Sequence, residues 1–178
     1  MKKISHEDIQ SSKPSIQEVK LKKRTPIYVV LDNIRSLHNV GAIFRTSDAV
    51  LVEKLSLCGI TGIPPSKDIL KTALGAEETV PWEYEDEAED VIRDLKSKGV
   101  QIVAVEIAHG SIDYSWVNYD FPVCFIFGHE VHGISDEVMD LVDICVHIPM
   151  LGRANSLNVA TCCGIILFDA LKNHFDEI

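Results

Sequence analysis

No stretch of this 178-residue chain approaches the ~18–20 consecutive apolar residues that a membrane-spanning helix requires. The opening segment MKKISHEDIQSSKPSIQEVK has neither the apolar core of a secretory signal nor the acid-poor, Arg-rich character of a transit peptide. A soluble, cytoplasmic protein is therefore expected. Cysteine is scarce and unpatterned: Cys58, Cys124, Cys145, Cys162 and Cys163 are odd in number, form no C-x-x-C pair, and four of them sit in apolar stretches. That usage argues against a disulfide framework or a zinc site and for reduced thiols buried in a core. Familiar nucleotide signatures are missing too, because no G-x-G-x-x-G follows an apolar strand and no G-x-x-x-x-G-K-[ST] occurs. His129-Glu130-Val131-His132 places its histidines at i and i+3 between two glycines, not at the i and i+4 of a zinc-protease helix, so no metal is expected. Without a G-x-S-x-G elbow, Ser156 is no acyl-transfer nucleophile.

Base is in short supply, and its placement is uneven. The net charge is −10, yet residues 1–24 carry +4 and the remainder −14. Much of the excess acid lies in Glu83–Asp90, where six of eight residues are acidic, a run that could occupy a solvated helix face. The basic arm (Lys22, Lys23 and Arg24 at its end) is compatible with a nucleic-acid partner and equally with a solvated tail.

With 46% hydrophobic residues, the chain has ordinary material for one compact domain, placed at 25–178 behind a loose or partly helical extension over 1–24. Ile27–Leu31, Leu55–Cys58, Val100–Val105, Val123–Phe127 and Ile144–Ile148 read as short strands, several apolar enough to be buried on both faces. Helical spacing fills the intervals at Val40–Val50, Lys67–Leu74 and Asp86–Lys98, Ser135 can cap a short helix, and a long one runs from about Leu157 to Phe175. Pro81-Trp82 reads as a connector. The alternation predicts an α/β fold with a mostly parallel sheet covered by helices on both faces.

Ligands of such sheets bind beyond the carboxyl ends of the strands, which directs attention to Asp32–Arg45, Gly128–Ser135 and Pro149–Asn158. These segments hold Asn39, Arg45, Glu130, Ser156 and Asn158, with Arg35 and Arg153 as further cations. The set lacks a strong base but suits polyanion binding and charge stabilisation, since Arg stays protonated and presents a planar fork to phosphate.

In order and spacing the three segments resemble the signature motifs of the SpoU (TrmH) family of RNA ribose 2′-O-methyltransferases, in the SPOUT superfamily. Asn33-Ile34-Arg35 through His38-Asn39-Val40-Gly41-Ala42-Ile43-Phe44-Arg45-Thr46 looks like the first motif, and Ile126-Phe127-Gly128-His129-Glu130 with Gly133-Ile134-Ser135 like the second. Ile148-Pro149-Met150 with Ser156-Leu157-Asn158-Val159-Ala160 looks like the third, and the likeness spans about residues 27–172. His129, Val131 and His132 depart from relatives that often carry Asn and a further Gly there, and Cys162-Cys163 stand where small apolar residues are common.

The resemblance implies S-adenosylmethionine as methyl donor, a homodimer, and a C-terminal trefoil knot, a topology that periodicity would never suggest. It assigns Arg45 the catalytic arginine role, Asn39 the placing of that arginine or of the RNA, Glu130 the support of the pocket and dimer, and Ser156 and Asn158 the shaping of the catalytic loop. Phe127, Gly128, His129, Ile148, Met150 and Leu157 are the expected cofactor contacts; Arg35, Arg153, Lys22, Lys23 and Arg24 the expected RNA contacts. Ile165, Ile166, Phe168 and Leu171 of the terminal helix are the expected interface. In the family, ribosomal-RNA members often carry a separate N-terminal recognition domain and some transfer-RNA members a longer basic C-terminal extension; this sequence shows neither, only its short basic N-terminus, and transfer RNA is the expected substrate over ribosomal RNA. A catalytically silent RNA-binding relative and an α/β enzyme of small nucleotides are the alternatives from other classes.

Overall fold

A computed structural model describes residues 1 and 3–176; Lys2 of the basic arm and residues 177–178 at the end of the expected domain lie outside it. Along the chain run α1 (His6–Ser11), α2 (Ile16–Lys20), β1 (Thr25–Asp32), α3 (Leu37–Ala49), β2 (Val52–Cys58), α4 (Lys67–Ala73) and β3 (Trp82–Glu85). Then follow α5 (Ala88–Ser97), β4 (Gln101–Val105), β5 (Ile112–Asp113), β6 (Val123–Phe127), α6 (Asp136–Met139), β7 (Ile144–His147) and α7 (Val159–Asp176). The strands form one sheet in the order β3-β2-β1-β6-β4-β7-β5, and every pairing is parallel.

The central strands are apolar on both sides because both sides are covered. Along β1, Ile27, Val29 and Leu31 enter one core with Val40, Ile43 and Phe44 of α3 and Cys163, Ile166, Leu167 and Ala170 of α7. Val30 turns the other way, as do Cys124 and Ile126 of β6, to meet Ala88, Val91, Ile92 and Leu95 of α5 and Val138 of α6. This is the period-two alternation of a strand read against two helical layers. In the arm, Ser15 and Glu18 close a capping box at α2, and neither α1 nor α2 buries a residue.

Two expectations require correction. Part of the acidic run is a strand: Glu83 and Glu85 lie in β3, which pairs with β2, and only Glu89 and Asp90 lie within α5. Trp82 fixes it there by packing edge-on against Phe44 with ring centroids 6.2 Å apart. Lys54 Nζ donates to Glu83 at 2.8 Å, and charge along this exposed edge discourages pairing with another chain. Second, Ile166 of the expected interface is fully buried in the core, whereas Phe168 is 53% exposed.

Packing of α4 against α3 depends on Gly41. A Cβ there would run into the Ile69 carbonyl and Thr72 Oγ1, and that hydroxyl also donates to the His38 carbonyl at 3.0 Å. Gly41→Ala should therefore lower the urea midpoint, because overpacking costs about 1–3 kcal/mol and exceeds the ~1 kcal/mol of helix propensity gained. An unchanged or raised midpoint would show that the two helices separate without cost.

Candidate active site

Strands β1, β6, β4 and β7 end on one side of the sheet, and the chain leaving them builds a polar cluster. After β1, the Thr61 hydroxyl donates to the Leu31 carbonyl and accepts from Ile34 N, fixing the start of the Asp32–Arg45 segment. Ser36 then caps α3 by accepting from Asn39 N. The Glu130 carboxylate reaches this turn from the loop after β6. It accepts from Arg35 N and Ser36 N at 3.0 Å each and from Asn39 Nδ2 at 2.9 Å. Asn39 Oδ1 in turn accepts from Asn158 Nδ2 at 3.0 Å, while Asn158 Oδ1 caps α7 through Ala160 N and Thr161 N. Three segments remote in sequence thus meet through three side chains. The negative charge of Glu130 also lies where the N-terminus of α3 favours it.

Beside this cluster opens a cavity of about 450 Å³. All six expected cofactor residues, Phe127, Gly128, His129, Ile148, Met150 and Leu157, line it together with Glu130, Ser156 and Asn158. The loop after β6 is closed tightly: His129 and Gly133 exchange backbone hydrogen bonds of 2.9 and 2.8 Å, and a Cβ on Gly128 would strike the backbone of Gly133 and Ile134. His129 Nδ1 accepts from Val131 N and His132 N, so that nitrogen is committed to the loop and not to a metal. Among the described residues no group of three or more His, Cys, Asp or Glu is arranged to hold one.

Arg45 is not in this cavity. It borders a separate shallow concavity with Ala42, Thr46, Ala49, Lys71, Thr72 and Phe168. Six residues separate it from Asn39 on α3, a rotation that leaves the two side chains about 120° apart around the helix and about 9 Å apart along it. Arg35, Arg153, Lys22 and Lys23 are exposed. Arg24 differs, for its Nη2 donates to the Thr79 carbonyl at 2.7 Å and ties the arm to the body.

The profile of the SpoU rRNA Methylase family matches residues 26–168. The chain belongs to that family. It is 32% identical over 166 residues, 93% of this chain and 84% of the other, to the tRNA (guanosine(18)-2′-O)-methyltransferase of Thermus thermophilus. With the enzyme of the same name from Aquifex aeolicus it shares 34% identity over 162 residues, 91% of this chain and 76% of that one. The crystal structure of the A. aeolicus TrmH/SpoU tRNA modifying enzyme superposes with a TM-score of 0.82 at 32% identity, covering 91% of this chain and 83% of that one. An AdoMet-bound rRNA methyltransferase from Sinorhizobium meliloti gives 0.78 at 35% identity, over 84% and 57% of the two chains.

Within this SpoU fold, Glu106 and His147 are polar lining residues outside the set of candidates that the sequence offers. The signal was available, since Glu106 directly follows the apolar strand β4 and obeys the same rule that singled out the other three segments. Cys162 also lines the cavity, but burial pushes its thiol up and away from a reactive thiolate.

Burial pushes the Glu130 carboxyl up, and the backbone donors of its own loop and turn, with the Asn39 amide, outweigh that and hold it below the ordinary 4.5. A carboxyl depressed by folding contributes stability that is fully present above pH 4.5 and fades as the pH falls through its folded value. Glu130→Gln should thus lower the melting temperature at pH 7 and progressively less below pH 4.5. Equal losses at pH 7 and pH 3 would disconnect the carboxylate charge from the stability of the site.

Proposed function

We propose that this SpoU-family chain is an S-adenosylmethionine-dependent methyltransferase of the ribose 2′-hydroxyl of RNA, with transfer RNA as substrate, working as a cytoplasmic homodimer with the family's C-terminal knot. The observation that carries the proposal is the cavity at the strand ends, joined by Glu130, Asn39 and Asn158 to the helix that bears Arg45. Relatives that share about a third of its residues are named tRNA (guanosine(18)-2′-O)-methyltransferases.

The lining suits the cofactor. Phe127, Ile148, Leu157 and Val159 offer apolar surface to a purine, Gly128 lets backbone approach, and ~450 Å³ lies within the roughly 300–1,000 Å³ of small-molecule sites. When bound, S-adenosylmethionine supplies a methyl group on a sulfonium, open to in-line displacement by a positioned oxygen. Arg45 is too weak an acid to serve as a base at neutral pH; its role is to stabilise charge on the attacking oxygen and orient the neighbouring phosphate. Solvent or the RNA phosphate takes the proton. Exposed Arg35 and Arg153, on segments that build the site, serve as phosphate contacts, whereas Lys22 and Lys23 precede β1 at the opposite end of the sheet and meet the RNA away from the cavity.

Arg45 and the cavity face apart in one chain, which favours a dimer that completes the site. The half-exposed Phe168 and the small Ala42 and Ala49 give α3 and α7 a shallow apolar face on which a second copy can seat, bringing its Arg45 to the first copy's cavity.

Arg45→Ala should reduce single-turnover methyl transfer at least ~10²-fold, while Arg93→Ala, on the outer face of α5, leaves it near wild type. Asn158→Ala should also be strongly impaired. Co-refolding Arg45→Ala with Asn158→Ala should restore activity, because the mixed dimer holds one cavity and one arginine that are both intact. Full activity of Arg45→Ala would refute its catalytic role, and failure of the mixture would place both halves of the site in one chain.

A further inference from the structure

Two carboxylates line the cavity, and their donors differ. Glu130 already receives three donors from one turn, Arg35 N on one oxygen and Ser36 N and Asn39 Nδ2 on the other. Glu106 receives one backbone donor on each oxygen: Ile107 N at 2.8 Å on Oε1 and Ile134 N at 3.1 Å on Oε2. An ionised carboxylate has about four acceptor positions, so each oxygen of Glu106 keeps capacity for one more donor. Its main chain is held as well, Glu106 N donating to the Val146 carbonyl at 3.0 Å and its carbonyl accepting from Cys145 Sγ. Gly133 makes the room. At φ +71° it passes close enough that a Cβ would meet Glu106 Oε2. The result is a fixed carboxylate presenting two adjacent acceptor positions to a ligand cavity.

We propose that Glu106 recognises the vicinal ribose diol of the bound cofactor, a specificity contact that rests on the cavity being the S-adenosylmethionine site. Two acceptors side by side match two neighbouring hydroxyl donors, as acidic residues do for ribose in dinucleotide-binding sheets. The diol belongs to the cofactor and not to the RNA, because inside an RNA chain the 3′-oxygen is esterified and carries no proton. A carboxylate would also repel the phosphates on either side of an RNA ribose.

The test is calorimetric and needs no turnover. S-adenosylhomocysteine, 5′-methylthioadenosine and the 2′-deoxy and 3′-deoxy forms of 5′-methylthioadenosine are titrated into wild type and Glu106→Gln. In wild type, removing either hydroxyl should weaken binding on the order of tenfold, as expected for a hydrogen bond to a charged group. In Glu106→Gln the full nucleoside should weaken similarly and the deoxy penalties shrink to within about threefold. Should the glutamine variant fail to fold, the deoxy penalties in wild type still decide, since their absence overturns the assignment. Glu106→Gln weakening S-adenosylhomocysteine but not 5′-methylthioadenosine would overturn it in favour of a contact to the amino-acid end. Wild-type binding with Glu106→Gln indistinguishable from it would sink this assignment and leave the cavity reading intact. Failure of wild type to bind any of the four would remove both.

Discussion

Everything at the site hangs on one contact, the Glu130 carboxylate seated on the turn that opens α3. A charge brought into that turn needs several donors to offset lost hydration, and Arg35 N, Ser36 N and Asn39 Nδ2 supply them. By satisfying the carboxylate, Asn39 is oriented so that its other face receives Asn158, and Asn158 is thereby set as the cap of α7. Pull out the carboxylate and the loop after β6, the start of α3 and the start of α7 lose their common fastening. Parallel strands bring the three segments to one side of the sheet; the polar network fixes them to within hydrogen-bonding distance.

Acidity overall and an RNA partner are reconciled by position. The densest acid lies around β3 at one edge of the sheet, whereas the cavity is lined from the ends of β6, β4 and β7. Three strand spacings separate β3 from β6, about 14 Å, which exceeds the ~8 Å screening length at physiological ionic strength. The exposed cations Arg35 and Arg153 stand on segments that enter the site. A polyanion approaching that end meets these two guanidinium groups as well as the carboxylates of Glu106 and Glu130, so the formal total of −10 does not by itself describe its reception.

The fold was legible where packing dictates composition. β6 emerged from its apolar run with the bounds Val123–Phe127, and α5 from the spacing of Val91, Ile92 and Leu95. β3 was not, because a four-residue edge strand with two glutamates has neither the length nor the β-branched character of a buried one. At the site, the motif residues were legible as a set, but their division was not. Which of them share a cavity depends on rotation around α3, so Asn39 and Arg45 looked like neighbours in sequence and face apart in space. Glu106 was legible only by its place after β4; what distinguishes it comes from Ile134 and Gly133, which the chain brings to it from another loop.

One measurement bears on the central claim most directly. The purified protein is incubated with S-adenosylmethionine labelled in its methyl group and with unmodified transfer RNA or ribosomal RNA, and the product is hydrolysed in alkali. A ribose methylated at the 2′-oxygen cannot form the cyclic phosphate on which alkaline cleavage depends, so the label should survive in an uncleaved dinucleotide derived from transfer RNA. Label confined to ribosomal RNA would correct the substrate, and label released with alkali-sensitive mononucleotides, or no transfer to either RNA by a folded protein that binds the cofactor, would contradict the account.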